Sequence, residues 1–86
     1  MLTQTMVQSR LKIILAEHNL QRARRGEGTL SIRELAAATG LATSTITGLT
    51  AGRSKGVTFD TVSSLCDFFK VEPGALFLYT PDPPKE

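Results

Sequence analysis

Residues 31–52 read SIRELAAATGLATSTITGLTAG and decide the fold. They open on a capping box, in which the Ser31 hydroxyl can accept from the amide of Glu34 while the Glu34 carboxylate reaches back to the amide of Ser31. Leu35 belongs to the apolar face that follows. Gly40 can adopt the left-handed conformation that ends a helix at little cost. The stretch therefore begins with a short amphipathic helix, helix 2 of the chain.

Helix 3 begins only a few residues later, near Ala42. Ala42, Ile46 and Leu49 lie on one stripe and supply its apolar face. The opposite face is uncharged and rich in hydroxyl groups, and Gly48 costs about 1 kcal/mol relative to alanine inside a helix. A helix this weak in propensity must be held by packing or shaped for a partner on its outer face. Gly52 ends it.

Two short helices joined by a tight turn containing glycine form a helix-turn-helix, a motif found in DNA-binding proteins. In such proteins the first helix lies across the DNA backbone, and the second lies in the major groove with its N-terminal residues near base edges. Gly40 permits the turn, and Ile46 and Leu49 anchor the second helix from inside. The motif alone occurs often by chance, so the rest of the chain has to agree with it.

Helix 1 is predicted before this motif, from about Thr5 to His18. Its apolar residues recur with helical spacing on one face, namely at Val7, Leu11, Ile14 and Leu15. The following segment, Asn19–Thr29, contains three arginines and two glycines and little that is apolar. We predict an exposed basic loop inserted between helices 1 and 2, which either contacts a phosphate or a partner or is a solvated linker.

Helices 4 and 5 are predicted after the motif. Thr58 can cap helix 4, and its buried stripe is predicted at Val62, Leu65, Cys66 and Phe69, with Phe59 and Phe68 adding bulk. Pro73 suits the first position of a short helix 5. The apolar stretch Leu76–Tyr79 closes the core or forms part of a dimer seam. Weak β-alternation is seen at Leu78–Thr80.

The whole pattern resembles the Cro/cI-type (Xre) family of helix-turn-helix proteins, which have the lambda-repressor-like fold. The resemblance covers nearly the whole chain and rests on SIRELA at 31–36, Gly40-Leu41, Ser44-Thr45-Ile46, Leu49, GVTFDTV at 56–62 and VEPGALF at 71–77. It implies an all-α, five-helix DNA-binding domain with its helix-turn-helix at helices 2 and 3. It further implies a transcriptional regulator, more often a repressor, that binds double-stranded DNA as a homodimer.

The resemblance also assigns DNA contacts to individual residues. Ser31, at the start of helix 2, would meet a phosphate through its hydroxyl and the adjacent amides, and Arg33 is a second candidate there. The base-reading positions of helix 3 are occupied by Thr43, Ser44, Thr47 and Gly48. Arg53 and Lys55, in the loop after that helix, would hold the DNA backbone. Because hydroxyls bond to several bases, shape and water are expected to carry part of the specificity.

The charge distribution is typical of a chain with a polyanionic partner. Residues 10–55 hold eight basic and three acidic side chains, a net of +5, whereas residues 56–86 hold two basic and five acidic ones, a net of −3. The total of +2 conceals this split. The asymmetry suggests a surface that faces a polyanion, although solvated charge on ordinary helix faces would produce it too.

Length and composition exclude several other classes. Eighty-six residues make one small domain, predicted as residues 1–80 followed by a proline-rich tail at 81–86. The longest apolar run has five residues, far short of the about 20 that a membrane helix needs, and no secretory signal is visible. Cys66 and His18 are single, so neither a disulfide nor a metal cluster is available. We expect a cytoplasmic protein without enzymatic activity, cofactor or membrane contact.

One alternative on the same fold stays open at this point. An antitoxin-like or adaptor protein would make its main contact with another polypeptide instead of DNA. The segments Asn19–Thr29 and Leu78–Glu86 motivate this alternative, since neither is needed for a minimal helix-turn-helix.

Overall fold

The computed structural model describes residues 7–79. These form five helices and one two-stranded sheet, in the order β1 (Val7–Ser9), α1 (Leu11–Arg24), α2 (Ile32–Thr39), α3 (Thr43–Ala51), α4 (Phe59–Phe69), α5 (Pro73–Leu76) and β2 (Phe77–Tyr79). The chain is mostly helical, as predicted, but the all-α prediction omitted the sheet. The predicted helix start at Thr5 and the predicted tail at 81–86 lie outside the described residues. The predicted boundary between domain and tail, after residue 80, therefore stays a prediction.

The two strands pair antiparallel at the two ends of the described chain, with Val7 opposite Tyr79. The weak strand signal near Leu78 is therefore confirmed. The assignment of Val7 to helix 1 is wrong, because pairing with β2 holds it in an extended conformation. The Ser9 hydroxyl then accepts from the amide of Leu11 at 3.1 Å, and α1 begins there.

The helix α1 extends through residues 19–24, which the sequence assigned to a loop. It ends in a Schellman motif: the amide of Gly26 donates to the carbonyl of Ala23 at 3.0 Å, and the amide of Glu27 donates to that of Arg22 at 2.8 Å. Gly26 has a φ of +78°. The basic residues of the last turn suit the negative end of the helix dipole. The predicted loop is thus wrong over its first six residues, because a polar sequence was taken for the end of a helix.

The caps of α2 and α3 are those that the sequence predicts. The Ser31 hydroxyl accepts from the Glu34 amide at 3.1 Å, and Oε1 of Glu34 accepts from the Ser31 amide at 2.8 Å. The hydrogen bond that the Ser31 amide donates to the carboxylate holds the pKa of Glu34 below its ordinary value. Gly40 and Gly52 end the two helices with φ of +77° and +74°. Both boundaries of the helix-turn-helix are therefore fixed by local geometry.

A single apolar core joins the helices. Its largest fully buried side chains are Leu11, Leu35, Ile46, Leu65 and Leu76. They come from α1, α2, α3, α4 and α5 in turn, so that each helix supplies one of them. Among residues 7–79, no helix has the length and apolar character that crossing a membrane requires.

Two apolar residues expected on buried stripes are exposed. Ala42 has extended dihedral angles as the residue before α3, so it lies outside the helical stripe that it was assigned to. Phe59 is 90% exposed, and the prediction that it adds bulk to the core is wrong. It precedes the buried Thr61 by two residues, which places it about 200° away around α4. The remaining apolar side chains of the α4 stripe pack against the core as predicted.

Lys70 ends α4 in the left-handed region, with a φ of 59°. It is the one residue other than glycine in the described part of the chain with a positive φ. Its amide still donates to the carbonyl of Cys66, so the cap is made. Because a Cβ is unfavourable in this conformation, the cap is made under strain.

Candidate nucleic-acid interface

The turn between α2 and α3 is built from short-range hydrogen bonds. The Gly40 amide donates to the carbonyl of Ala36 at 2.8 Å, and the Thr39 hydroxyl donates to that of Leu35 at 2.8 Å. Leu35 of α2 and Ile46 of α3 are both 0% exposed in the same core. The two helices are therefore fixed relative to each other, and the outer surface of α3 is presented by a rigid support.

The outer surface of α3 carries hydroxyl groups, as predicted. Thr43, Ser44 and Thr47 are all exposed. The Thr47 hydroxyl donates a hydrogen bond to the carbonyl of Thr43 at 2.8 Å. The lone pairs of its oxygen and the methyl group of Thr47 therefore face outward. The side chain of Ser44 makes no hydrogen bond within residues 7–79, and its hydroxyl is free to donate as well as to accept.

The N-terminus of α3 is open. Ala42, the residue before the helix, supplies no side-chain cap. The amide of Thr45 donates to the carbonyl of Ala42 at 3.1 Å, but those of Thr43 and Ser44 find no partner among residues 7–79, so they face solvent or a ligand. Thr43 and Ser44 thus combine exposed hydroxyls with uncapped amides at the end of the helix that carries a partial positive charge.

Gly48 has an intramolecular role that the sequence did not reveal. A Cβ at this position would lie 2.9 Å from Oγ of Ser54. The amide of Arg53 donates to the carbonyl of Gly48 at 2.9 Å, so the loop after α3 folds back onto the helix. Gly48 thus contacts the loop that carries Arg53 and Lys55, although Oγ ends an exposed serine side chain that can rotate away from a Cβ. Its role as a direct base contact stays a prediction.

The predicted phosphate-binding side chains are all at the surface. Arg33, Arg53 and Lys55 are exposed and take part in no ion pair within residues 7–79. Ser31, the remaining candidate, is exposed although its hydroxyl caps α2. Every predicted contact residue except the half-buried Gly48 is therefore accessible to a partner.

Arg22 and Arg25 make hydrogen bonds within the turn that follows α1. Nε of Arg22 donates to the carbonyl of Gly28 at 2.6 Å, and Arg25 donates to both carboxylate oxygens of Glu27 at 3.2 Å. The Arg25 guanidinium lowers the pKa of Glu27. Two of the three arginines thus shape the turn after α1. Arg24 takes no part in these bonds.

The side chain of Asn19 holds the end of the same turn that lies next to α2. Its Oδ1 accepts from the amide of Leu30 at 2.8 Å, and its amide group donates to the Leu30 carbonyl at 3.4 Å. The side chain thus bonds both backbone groups of one residue, much as a neighbouring strand would. These hydrogen bonds order the connection between α1 and α2. The sequence gave no local signal for them, because Asn19 and Leu30 are 11 positions apart.

The chain's cysteine and histidine do not form a reactive pair. His18 packs against the rings of Phe68 and Phe69, with centroid distances of 5.6 and 5.3 Å. Burial raises the pKa of the half-buried Cys66 thiol, which makes the thiol less reactive. Within residues 7–79, no cluster of His, Cys, Asp or Glu is suited to a metal ion.

Comparison with known families agrees with this geometry. The family model for the Cro/C1-type HTH DNA-binding domain matches residues 10–82. The matched range contains both helices of the motif and every predicted contact residue. No curated protein matches the sequence.

Proposed function

The chain belongs to the family of Cro/C1-type HTH DNA-binding domains, and from this premise we propose that it is a sequence-specific transcriptional regulator. In this proposal it adopts the lambda-repressor-like arrangement of five helices and reads the DNA major groove with α3. The observation that carries the proposal is the division of α3 into two faces. Ile46 and Leu49 are 0% and 5% exposed, while the opposite face presents only small polar groups.

The phosphate contacts come from both sides of α3. Ser31 and Arg33 lie at the start of α2, which crosses the DNA backbone in this type of motif. Arg53 and Lys55 follow α3 in the loop whose Arg53 amide donates to the Gly48 carbonyl. Their side chains position the domain and make affinity dependent on salt, but they carry no sequence information by themselves.

The base contacts come from the hydroxyl face of α3. Because the Thr47 proton is bonded to the Thr43 carbonyl, Thr47 offers an acceptor to the amino group of adenine or cytosine and a methyl group to thymine. Ser44 can adapt as donor or acceptor. A face without bidentate side chains implies modest discrimination at each base pair.

We propose that two copies bind a near-palindromic operator as a homodimer. Their recognition helices would then lie about 34 Å apart, one turn of DNA. Occupying a promoter is sufficient for repression, which is why we favour a repressor over an activator. In this proposal the protein acts in the cytoplasm. The antitoxin-like or adaptor alternative stays a prediction, and a stoichiometric protein partner that co-purifies with the chain would support it.

Selection of bound duplexes from a random pool tests the proposal. We expect enrichment of a near-palindrome with half-sites separated by about 10 base pairs. Thr47→Ala and Ser44→Ala should change the preferred bases within the half-site, whereas Arg53→Gln should weaken binding to all sequences alike. A pool from which no sequence is enriched at low salt would contradict the proposal.

A further inference from the structure

The helix α1 is apolar on two sides. Its inner side contributes to the core, but its outer side also carries apolar residues, at the helical spacing of 13, 16, 20 and 23. Ile13 is 48% and Leu20 is 52% exposed, and Ala16 and Ala23 are exposed between them. We name these four residues the α1 outer stripe. A helix that is apolar on both sides is normally covered on both.

We propose that the α1 outer stripe is a self-association surface, on which α1 of a second copy packs antiparallel. The stripe is complementary to itself, because large and small side chains alternate along it. When the two-fold axis passes at the level of residue 18, Ile13 of one copy lies opposite Ala23 of the other. Ala16 of one copy then lies opposite Leu20 of the other. Each large side chain then meets a small one, as an isologous interface requires.

Charged residues beside the stripe agree with the same arrangement. Glu17 and Arg24 lie on the same flank of α1, and neither takes part in an ion pair within residues 7–79. In the antiparallel arrangement, Glu17 of one copy and Arg24 of the other are five residues apart along the axis, or about 7.5 Å. An arginine side chain spans this distance, so two symmetric ion pairs form.

The expected association is weak. One pair of helices buries less than the about 1,200 Å² of a standard stable interface, so a dissociation constant in the micromolar range is expected. Self-association through α1 goes beyond the proposed function, since it can be measured without DNA. On an operator, two adjacent half-sites would raise the effective concentration of the two copies.

Sedimentation equilibrium of the full chain tests the surface. We expect a reversible monomer–dimer equilibrium for the unchanged protein and a monomer for Leu20→Glu or Ile13→Glu. Both side chains are about half exposed, so circular dichroism should show that the fold is kept. Leu78→Glu is the matched control, because Leu78 is 49% exposed but lies on β2. A dimer that Leu78→Glu dissociates and Leu20→Glu does not would assign the seam to β2 and overturn the proposal, as would an unchanged protein that stays monomeric.

Charge reversal tests the antiparallel arrangement. Glu17→Arg and Arg24→Glu should each weaken the dimer by about ten-fold, since each replaces two attractions by two repulsions. The double variant exchanges the charges and should restore the original dissociation constant. A double variant as weak as the single ones would overturn the arrangement. Because Leu20→Glu leaves the helix-turn-helix untouched, it should still bind a single half-site, which separates failure of this surface from failure of DNA binding.

Discussion

Replacing Arg53 by glutamine should change the salt dependence of DNA binding by a predictable amount. The side chain is exposed and makes no ion pair in the described part of the chain, so the substitution should leave the fold unchanged. Each phosphate contact contributes about −0.9 to the slope of log K against log salt concentration. In a dimer the substitution removes two contacts, and the slope should become less negative by about 1.8. Between about 50 and about 200 mM salt, the factor by which affinity falls would then be roughly ten-fold smaller than for the unchanged protein.

Fluorescence anisotropy with a labelled duplex, titrated at several salt concentrations, measures this slope. Arg25→Gln is the matched control, because it removes the same charge from an exposed side chain that is already bonded to Glu27 at 3.2 Å. A slope unchanged by Arg53→Gln would refute the reasoning. So would a control that alters the slope by as much, because the effect would then reflect net charge alone.

Other substitutions test the fold and its caps. Lys70→Gly should raise the free energy of unfolding by about 1 kcal/mol in urea titrations, since it relieves a φ of 59°, whereas Lys70→Ala should not. Phe59→Ser should change that free energy by less than about 0.5 kcal/mol because the ring is 90% exposed, while Leu65→Ala should cost about 2–5 kcal/mol; equal losses would contradict the burial pattern. The depressed pKa of Glu34 implies stability that is present above its unfolded pKa and is lost as pH falls through the folded one. Glu34→Gln should therefore show a smaller loss on acidification, and an identical pH profile would exclude this carboxylate as a contributor.

The helix-turn-helix was predictable because its signals are local. A capping box and Gly40 fix the two ends of α2, and Gly52 fixes the C-terminus of α3. The apolar spacing fixes the buried sides of both helices. No distant contact was needed. For the same reason the exposure of Thr43, Ser44 and Thr47 followed from the exclusion of Ile46 and Leu49 from solvent.

The errors have two different origins. The strand at Val7–Ser9 depends on pairing with β2, about 70 residues away in the sequence, and three residues carry no periodicity of their own. The length of α1 was predictable in principle, because Gly26 preceded by arginines is a signal for a helix C-terminus. That signal was outweighed by the scarcity of apolar residues between positions 19 and 29. The contact between Gly48 and Ser54 was hidden altogether, since it depends on where Ser54 lies in space.

The central claim is that α3 contacts bases from the major groove. A set of duplexes, each lacking the major-groove methyl group of one thymine, tests it most directly. Each thymine of a selected site is replaced in turn by deoxyuridine, and anisotropy gives the affinity. At the thymine that Thr47 contacts, the unchanged protein should lose about three- to four-fold in affinity, the value of one buried methyl group. Thr47→Ala should lose little further there. If no replacement lowers the affinity, while a minor-groove ligand displaces the protein, the account of α3 is contradicted.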